Sequence, residues 1–341
     1  MKVLLIGGTG RISLEITRLL SLDDNVQVYL LNRGNRNQNL PRNITLLKAD
    51  IKEEKEVKKL LESYSFDVVA DFIAFDINEI ERNIRLFSDK TKQYIFISSA
   101  SAYQKPVISC CITESTPLKN PYWEYSRNKI ACEDRLIREY RQTGFPITIV
   151  RPSHTYDIRN VPVCIHGKNG GWQTIKRMLE NKPVIIPGDG TSLWTLTSAV
   201  DFAKGFIGLL GNNRAIGHAV HITSDETLTW NQIYDCIADT LSVKLNAVHI
   251  ASDFLVACNP ELYGPLLGDK ANSSVFDNTK IKNLVPGFSA STRFDQGVRE
   301  TIRNMLEQKS LQIEDKEFDC WCDQVIAAYQ DGLRNTIRQL R

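Results

Sequence analysis

A chain of 341 residues, 42% of them apolar, can bury more than one core. Its 42 basic and 40 acidic residues are mixed along the chain and leave a net charge of +2, so a nucleic-acid binder, which would show a basic face or run, is not expected. Basic residues do cluster between Arg33 and Arg42, where a cofactor phosphate is the expected partner.

Met1-Lys2-Val3-Leu4-Leu5-Ile6-Gly7 holds an apolar run too short for a signal peptide, and no stretch approaches a membrane span. The eight cysteines, at 110, 111, 132, 164, 236, 258, 320 and 322, form no CxxC and have no His at metal-ligand spacing. Reduced, mostly buried thiols, no structural metal and a cytoplasmic location are the expectations.

In chain order, Val3–Ile6, Val26–Leu31, Ile44–Leu47, Phe66–Ala70 and Tyr94–Ile97 are predicted as buried strands. Ile12–Leu20, Glu53–Leu61 and Ile77–Leu86 have helical spacing between them. A long helix is predicted from near Tyr125 to about Arg141, then a strand over Ile147–Val150. The alternation implies right-handed βαβ crossovers and an α/β, Rossmann-type doubly wound parallel sheet. Beyond Arg151-Pro152 the pattern loosens, with helices near Gly171–Leu179, Asp201–Leu210, Trp230–Leu241 and Phe294–Leu306. The division expected is a dinucleotide-binding domain over 1–160, with segments returning from the C-terminal half. A smaller α/β substrate domain over 161–310 and a helical tail over 311–341 complete it.

Gly7-Gly8-Thr9-Gly10-Arg11-Ile12-Ser13 joins the first strand to the first helix. Glycines there let the backbone turn sharply and approach a pyrophosphate, which the helix N-terminus attracts. Gly7, Gly10, Arg11 and Ile12 are candidate cofactor residues; a tight turn without a ligand is the alternative. The second strand ends at Asn32-Arg33, where an acidic residue would repel a 2′-phosphate. Asn32 cannot repel it and Arg33 can pair with it, so NAD(P) is the expected cofactor, with NADP(H) favoured over NAD(H). Asp50-Ile51 ends the third strand, where the Asp meets an adenine amino group or caps the helix that follows.

Tyr125 and Lys129 lie four apart on a helix and share a face. A nearby ammonium and a positive nicotinamide ring favour phenolate, making Tyr125 a usable base. Ser98, Ser99 and Ser101 follow the strand Tyr94–Ile97, at the carboxyl end where such sheets bind ligands; turn capping is the plainer role of these hydroxyls.

Gly7-Gly8-Thr9-Gly10, Ser98-Ser99 with Tyr103, Tyr125-xxx-Lys129, Arg151-Pro152 with Thr155-Tyr156, and Gly188-Asp189-Gly190-Thr191 with Asp201 follow one another in a familiar order and spacing. Over roughly residues 1–305 the chain resembles the extended short-chain dehydrogenase/reductase superfamily, in its NAD-dependent epimerase/dehydratase branch. The resemblance implies that Ser99 orients the substrate oxygen, that Tyr125 is the acid/base, and that Lys129 binds the nicotinamide ribose while lowering the Tyr125 pKa.

The departures narrow the chemistry. Ser13 replaces the third cradle glycine. The family's 4,6-dehydratases carry Asp-Glu after the serine, and its decarboxylating members a Glu at the place of Ser101; this chain has Ala100-Ser101. Trp194-Thr195 stands where many nucleotide-sugar members carry Arg-Asp. Trp194 either stacks on a base or sugar face or fills the core. His154 either lines the cleft or is structural, and His166–Gly171 either holds an anion or forms a lid.

The resulting expectation is an NAD(P)-dependent sugar epimerase, its substrate nucleotide-linked, working by transient hydride abstraction at Ser99, Tyr125 and Lys129, with Ser99, Ser101, His154 and Trp194 against the substrate. A reductase or dehydrogenase on a non-nucleotide substrate is the rival. A catalytically idle dinucleotide- or RNA-binding protein, like the chloroplast stem-loop RNA-binding proteins that share this fold, is the second. The expected partner is a small molecule, with no nucleic acid and no membrane; a homodimer through the helices around Tyr125–Arg141 is compatible with the resemblance.

Overall fold

The structure is a computed structural model that describes residues 1–34, 41, 43–109 and 111–341. Cys110 and most of the basic cluster following Arg33 lie outside the described residues. Six strands, β1 (Lys2–Ile6), β2 (Gln27–Asn32), β3 (Thr45–Lys48), β4 (Val68–Asp71), β5 (Tyr94–Ile97) and β6 (Ile147–Pro152), join the strand Ala219–Ile222 in one sheet. From that strand the order is β6, β5, β4, β1, β2, β3, and every pairing is parallel. The sheet turns outward on both sides of β1 and β4, the arrangement that opens a ligand crevice at their carboxyl ends.

Successive side chains on a strand face opposite ways, so a sheet covered on both faces needs apolar residues at every position. Along β1, Leu4 and Ile6 pack with Val69, Phe96 and Ile149 on one face, while Val3 and Leu5 pack with Val68, Ile95 and Phe206 on the other. Helices α1 (Ser13–Leu20), α2 (Glu54–Leu60), α3 (Ile77–Phe87) and α4 (Glu124–Thr143) follow the first strands. A third core, with Trp172, Trp194 and Trp230 buried in it, unites α5 (Trp172–Leu179), α7 (Trp230–Leu241) and helix Phe294–Glu307; α6 (Ala199–Ile207) instead packs against α1.

The strand Ala219–Ile222 is an element that its short apolar run did not reveal. The segment 252–284 also departs from expectation: it carries two short helices and, between them, a π-helix over Tyr263–Lys270. The tail is a single helix, Lys316–Leu340. Of the seven described cysteines, Cys132, Cys164 and Cys322 are buried, whereas Cys111, Cys258 and Cys320 are exposed, which corrects the expectation of mostly buried thiols. No described helix is long and apolar enough to cross a membrane.

Candidate active site

The turn after β1 is held by side chains that small size made possible. The Ser13 hydroxyl donates to the Gly7 carbonyl (2.7 Å) and accepts from the Gly10 N–H (2.8 Å), and Thr17 Oγ1 donates to the Gly8 carbonyl (2.6 Å). The third small residue of the cradle therefore ties the turn shut. Gly7 has φ +79°, and a Cβ there would stand 2.5 Å from Ile73 Cγ2, so only glycine fits. A cleft of about 510 Å³ opens here, lined by Gly7, Gly10, Asn32, Arg33, Asp50 and Ile51 among others. A glycine cradle whose Gly7 admits no Cβ, leading into a helix N-terminus and an open cleft, suits a dinucleotide. Asn32 Oδ1 accepts from the Gly34 N–H (2.9 Å), and Arg33 is exposed at the rim. Asp50 accepts from the Lys52 N–H (3.0 Å) and so caps a turn; α2 begins later, at Glu54.

A second cleft, of about 590 Å³, holds Ser99, Ser101, Tyr125, His154 and Trp194. Arg11 and Ile12 face this cleft, not the one beside Asn32 and Asp50. Ser99 follows β5 in extended conformation; its Oγ accepts from the Ser101 N–H (3.2 Å) and meets Ser101 Oγ at 2.9 Å. Ser126 donates to Ser101 Oγ (2.8 Å), and it is Ser99 that both caps this short turn and lines the cleft. The Ser99 hydroxyl stands close enough to the Tyr125 hydroxyl to favour its ionisation.

Lys129 is fully buried beneath Tyr125. Its ammonium donates to the carbonyls of Ala74 (2.7 Å) and Ile97 (2.8 Å) and lies 4.5 Å and 4.7 Å from the ring centres of Phe75 and Phe96. Burial pulls it down to about 8. The Tyr125 phenol moves the opposite way from the sequence expectation. Burial raises it, the charge of Asp269 adds to the rise, and the Ser99 hydroxyl opposes it. Desolvation of the anion sets the direction, and the Lys129 nitrogen stands 5.8 Å from the ring centre.

The other motif residues sort themselves between cleft and scaffold. Trp194 is buried, stacks on Trp230 at 5.4 Å, and donates from Nε1 to His154 Nδ1 (3.4 Å), so it floors the cleft and fills the core at once. Burial holds His154 well below the usual histidine range, and the positive charges of Lys270, Arg11 and His166 add to this. Arg151 is scaffold: it forms a buried ion pair with Glu133, which also accepts from Ser98. Asp201 accepts from the Thr292 N–H (2.7 Å) and pairs with Lys204. The His166–Gly171 loop is pinned to the C-terminal helix by Lys168–Glu317 (3.0 Å) and to the segment just before that helix by Asn169 on the Glu314 carbonyl (3.2 Å). His166 alone of that loop lines the second cleft.

Sequence reasoning missed Asp269 and Lys270, which end the π-helix and face the cleft. It also missed Asn120, whose Nδ2 joins the Ser101 and Gly268 carbonyls (2.8 and 2.7 Å). Only the folded chain brings these segments together. No group of three metal-ligating side chains occurs among the described residues.

The model of the NAD dependent epimerase/dehydratase family matches residues 3–223. The 2'-dehydrokanamycin reductase of Streptomyces kanamyceticus is 23% identical over 254 residues, 74% of this chain and 70% of that protein. The chloroplast stem-loop binding protein of 41 kDa b of Arabidopsis thaliana is 27% identical over 244 residues, 67% of this chain and 60% of that protein. Among solved structures, the UDP-glucuronic acid 4-epimerase of Bacillus cereus in complex with NAD shares the fold with a TM-score of 0.73 at 19% identity, covering 92% of this chain and 100% of the epimerase. A match over residues 3–223, on a sheet with this strand order, means that the chain belongs to the NAD dependent epimerase/dehydratase family and is an NAD-dependent enzyme of the extended short-chain dehydrogenase type.

Proposed function

We propose that the chain is an NAD(P)-dependent sugar epimerase whose substrate is nucleotide-linked. The observation that supports this is the meeting of Ser99 and Tyr125 at one cleft next to the glycine cradle, with the buried Lys129 ammonium 5.8 Å from the Tyr125 ring centre. When bound, a nicotinamide dinucleotide supplies hydride acceptance and return. The Ser99 hydroxyl orients the substrate oxygen, and the Tyr125 hydroxyl takes the proton from that oxygen and gives it back. Lys129 spends two of its three N–H donors on the Ala74 and Ile97 carbonyls and keeps one for a ribose hydroxyl. In this reading residues 1–160 carry the dinucleotide and residues 161–310 close over the sugar. Arg33, beside the non-acidic Asn32, gives the site its preference for NADP(H).

The test is incubation with nucleotide-hexoses and either cofactor. An epimer of unchanged mass, formed without net change in reduced-nicotinamide absorbance, is the expected result. Stoichiometric consumption of NAD(P)H would instead favour a reductase, a second reading supported by the alignment with the 2'-dehydrokanamycin reductase over 74% of this chain. An intact Ser99, Tyr125 and Lys129 set argues against a binding-only role, and salt-dependent RNA affinity would reveal one.

A further inference from the structure

Asp269 is the one carboxylate among the described residues that line the substrate cleft. Its position is built, not accidental. The π-helix Tyr263–Lys270 packs on Trp123 so closely that a Cβ on Gly264 would stand 2.3 Å from Trp123 Cδ1. Trp123 in turn lies 4.9 Å from the Tyr125 ring. Asn120 ties the Gly268 carbonyl, immediately before Asp269, to the Ser101 carbonyl of the serine turn. The carboxylate is thereby fixed on the same side of the cleft as Ser99 and Tyr125, near enough for its charge to oppose ionisation of the phenol. π-Helical turns of this kind concentrate at functional sites.

Among the described residues no donor satisfies this carboxylate. No side-chain hydrogen bond reaches it, and neither Lys105 nor Lys270 comes within ion-pair distance, although both act on it through their charges. A half-buried carboxylate without a protein partner is costly unless something else supplies the donor. We propose that Asp269 is the specificity-determining residue of the site: its carboxylate accepts a hydrogen bond from a hydroxyl or ammonium on the substrate carbon next to the one that Ser99 and Tyr125 engage. The substrate is then a vicinal diol or amino alcohol of the sugar class. This rests on the reading that Ser99 and Tyr125 hold a sugar carbinol.

The groups facing Asp269 are Tyr125 from α4, Lys105 from the segment after Tyr103, Cys164, and Lys270 on its own element. Burial raises its carboxyl above the usual range, and the two lysines pull it back. Once protonated it can no longer make a charge-assisted bond, so KM rises as pH falls through that raised value.

The experiment compares the full-length chain with D269N and D269A, loaded with NAD+ or NADP+. The probes are UDP-hexoses, hexose 1-phosphates and aminoglycosides, each beside its analogue lacking the neighbouring hydroxyl or amine. The expected result in D269A is a KM at least tenfold higher with kcat within about threefold, and no remaining preference over the deoxy analogue. In the isosteric D269N, KM should lose its rise at low pH. Wild-type discrimination in both variants overturns the proposal. A second readout needs no turnover: carbodiimide coupling of glycinamide to Asp269, mapped by mass spectrometry. Saturating probe should suppress labelling at least fivefold, in wild type and in Y125F alike, and labelling unaffected by every probe overturns the proposal. Wild-type turnover in Y125F would instead sink the reading of the site while leaving the protection of Asp269 intact.

Discussion

Tyr125 and Lys129 work in opposite electrostatic senses, since burial penalises the charge of each. In the proposed mechanism Tyr125→Phe removes the proton-transfer hydroxyl and little else, so turnover should vanish while dinucleotide affinity, measured by fluorescence titration, stays within about threefold. The sign of the pH effect follows from Lys129. Its pKa is depressed to about 8, so the ammonium is present below that pH and lost above it. Activity that depends on the charge should therefore fall as pH rises through about 8, whereas an ordinary lysine would stay charged to about 10. A kcat/KM profile flat to beyond pH 9 would contradict this. Arg33→Ala should weaken NADP(H) by about 1.5–3 kcal/mol and NAD(H) much less, checked by calorimetry. Ser99, Tyr125 and Lys129 were legible because a strand end and a four-residue helical spacing are local features. Asp269 was not, because its place depends on Asn120 and Trp123, which are distant in sequence and meet it only through packing.

At the scale of elements, the long helix α4 does two jobs on its buried face. Its first turns present Tyr125, and lower down Glu133 accepts from Ser98 and from the Arg151 guanidinium. The Arg151 guanidinium lies 4.8 Å from the Tyr103 ring centre, and the Tyr103 hydroxyl meets His221 Nδ1 at 3.0 Å. This chain of contacts ties β5, β6, α4 and the edge strand Ala219–Ile222 together beneath the serines. Motif residues Arg151 and Tyr103 thus support the site without entering it, a distinction that sequence order alone does not make. Glu133→Ala would leave a buried guanidinium without its partner. Such a loss costs about 3–5 kcal/mol, so denaturant melts should show a large drop in midpoint with little change in slope. A drop below about 1 kcal/mol would mean that water reaches Arg151 in place of the carboxylate.

Across the whole molecule, the parallel sheet was readable from alternating apolar runs, because βαβ crossovers leave few other topologies. The C-terminal half was readable only in part: its long amphipathic helices stood out, while its two- to four-residue strands and π-helix carry no period long enough to detect. That half supplies Trp194, Asp269 and Lys270 to the cleft, and with them the limits on reaction class. Loss of water from a 4-keto sugar needs an acid and a base besides Tyr125. After Ser99 the strand end offers Ala100 and Ser101, and the Ser101 hydroxyl is engaged by Ser99 and Ser126. Glu114, the remote carboxylate that a loop could have folded over the site, lies elsewhere, with its Oε1 on the His221 N–H (3.2 Å) beside a separate cavity. Asp269 is the single carboxylate among the described residues of the cleft, and one group cannot both remove the α-proton and protonate the departing hydroxyl in the same step. Incubation with nucleotide-hexoses should therefore give no 4-keto-6-deoxy product, and any turnover should conserve substrate mass or change it by two hydrogens. The mass spectrum of the reaction mixture decides: a product lighter by one water would show that Asp269 and a second group of the cleft act as the missing pair.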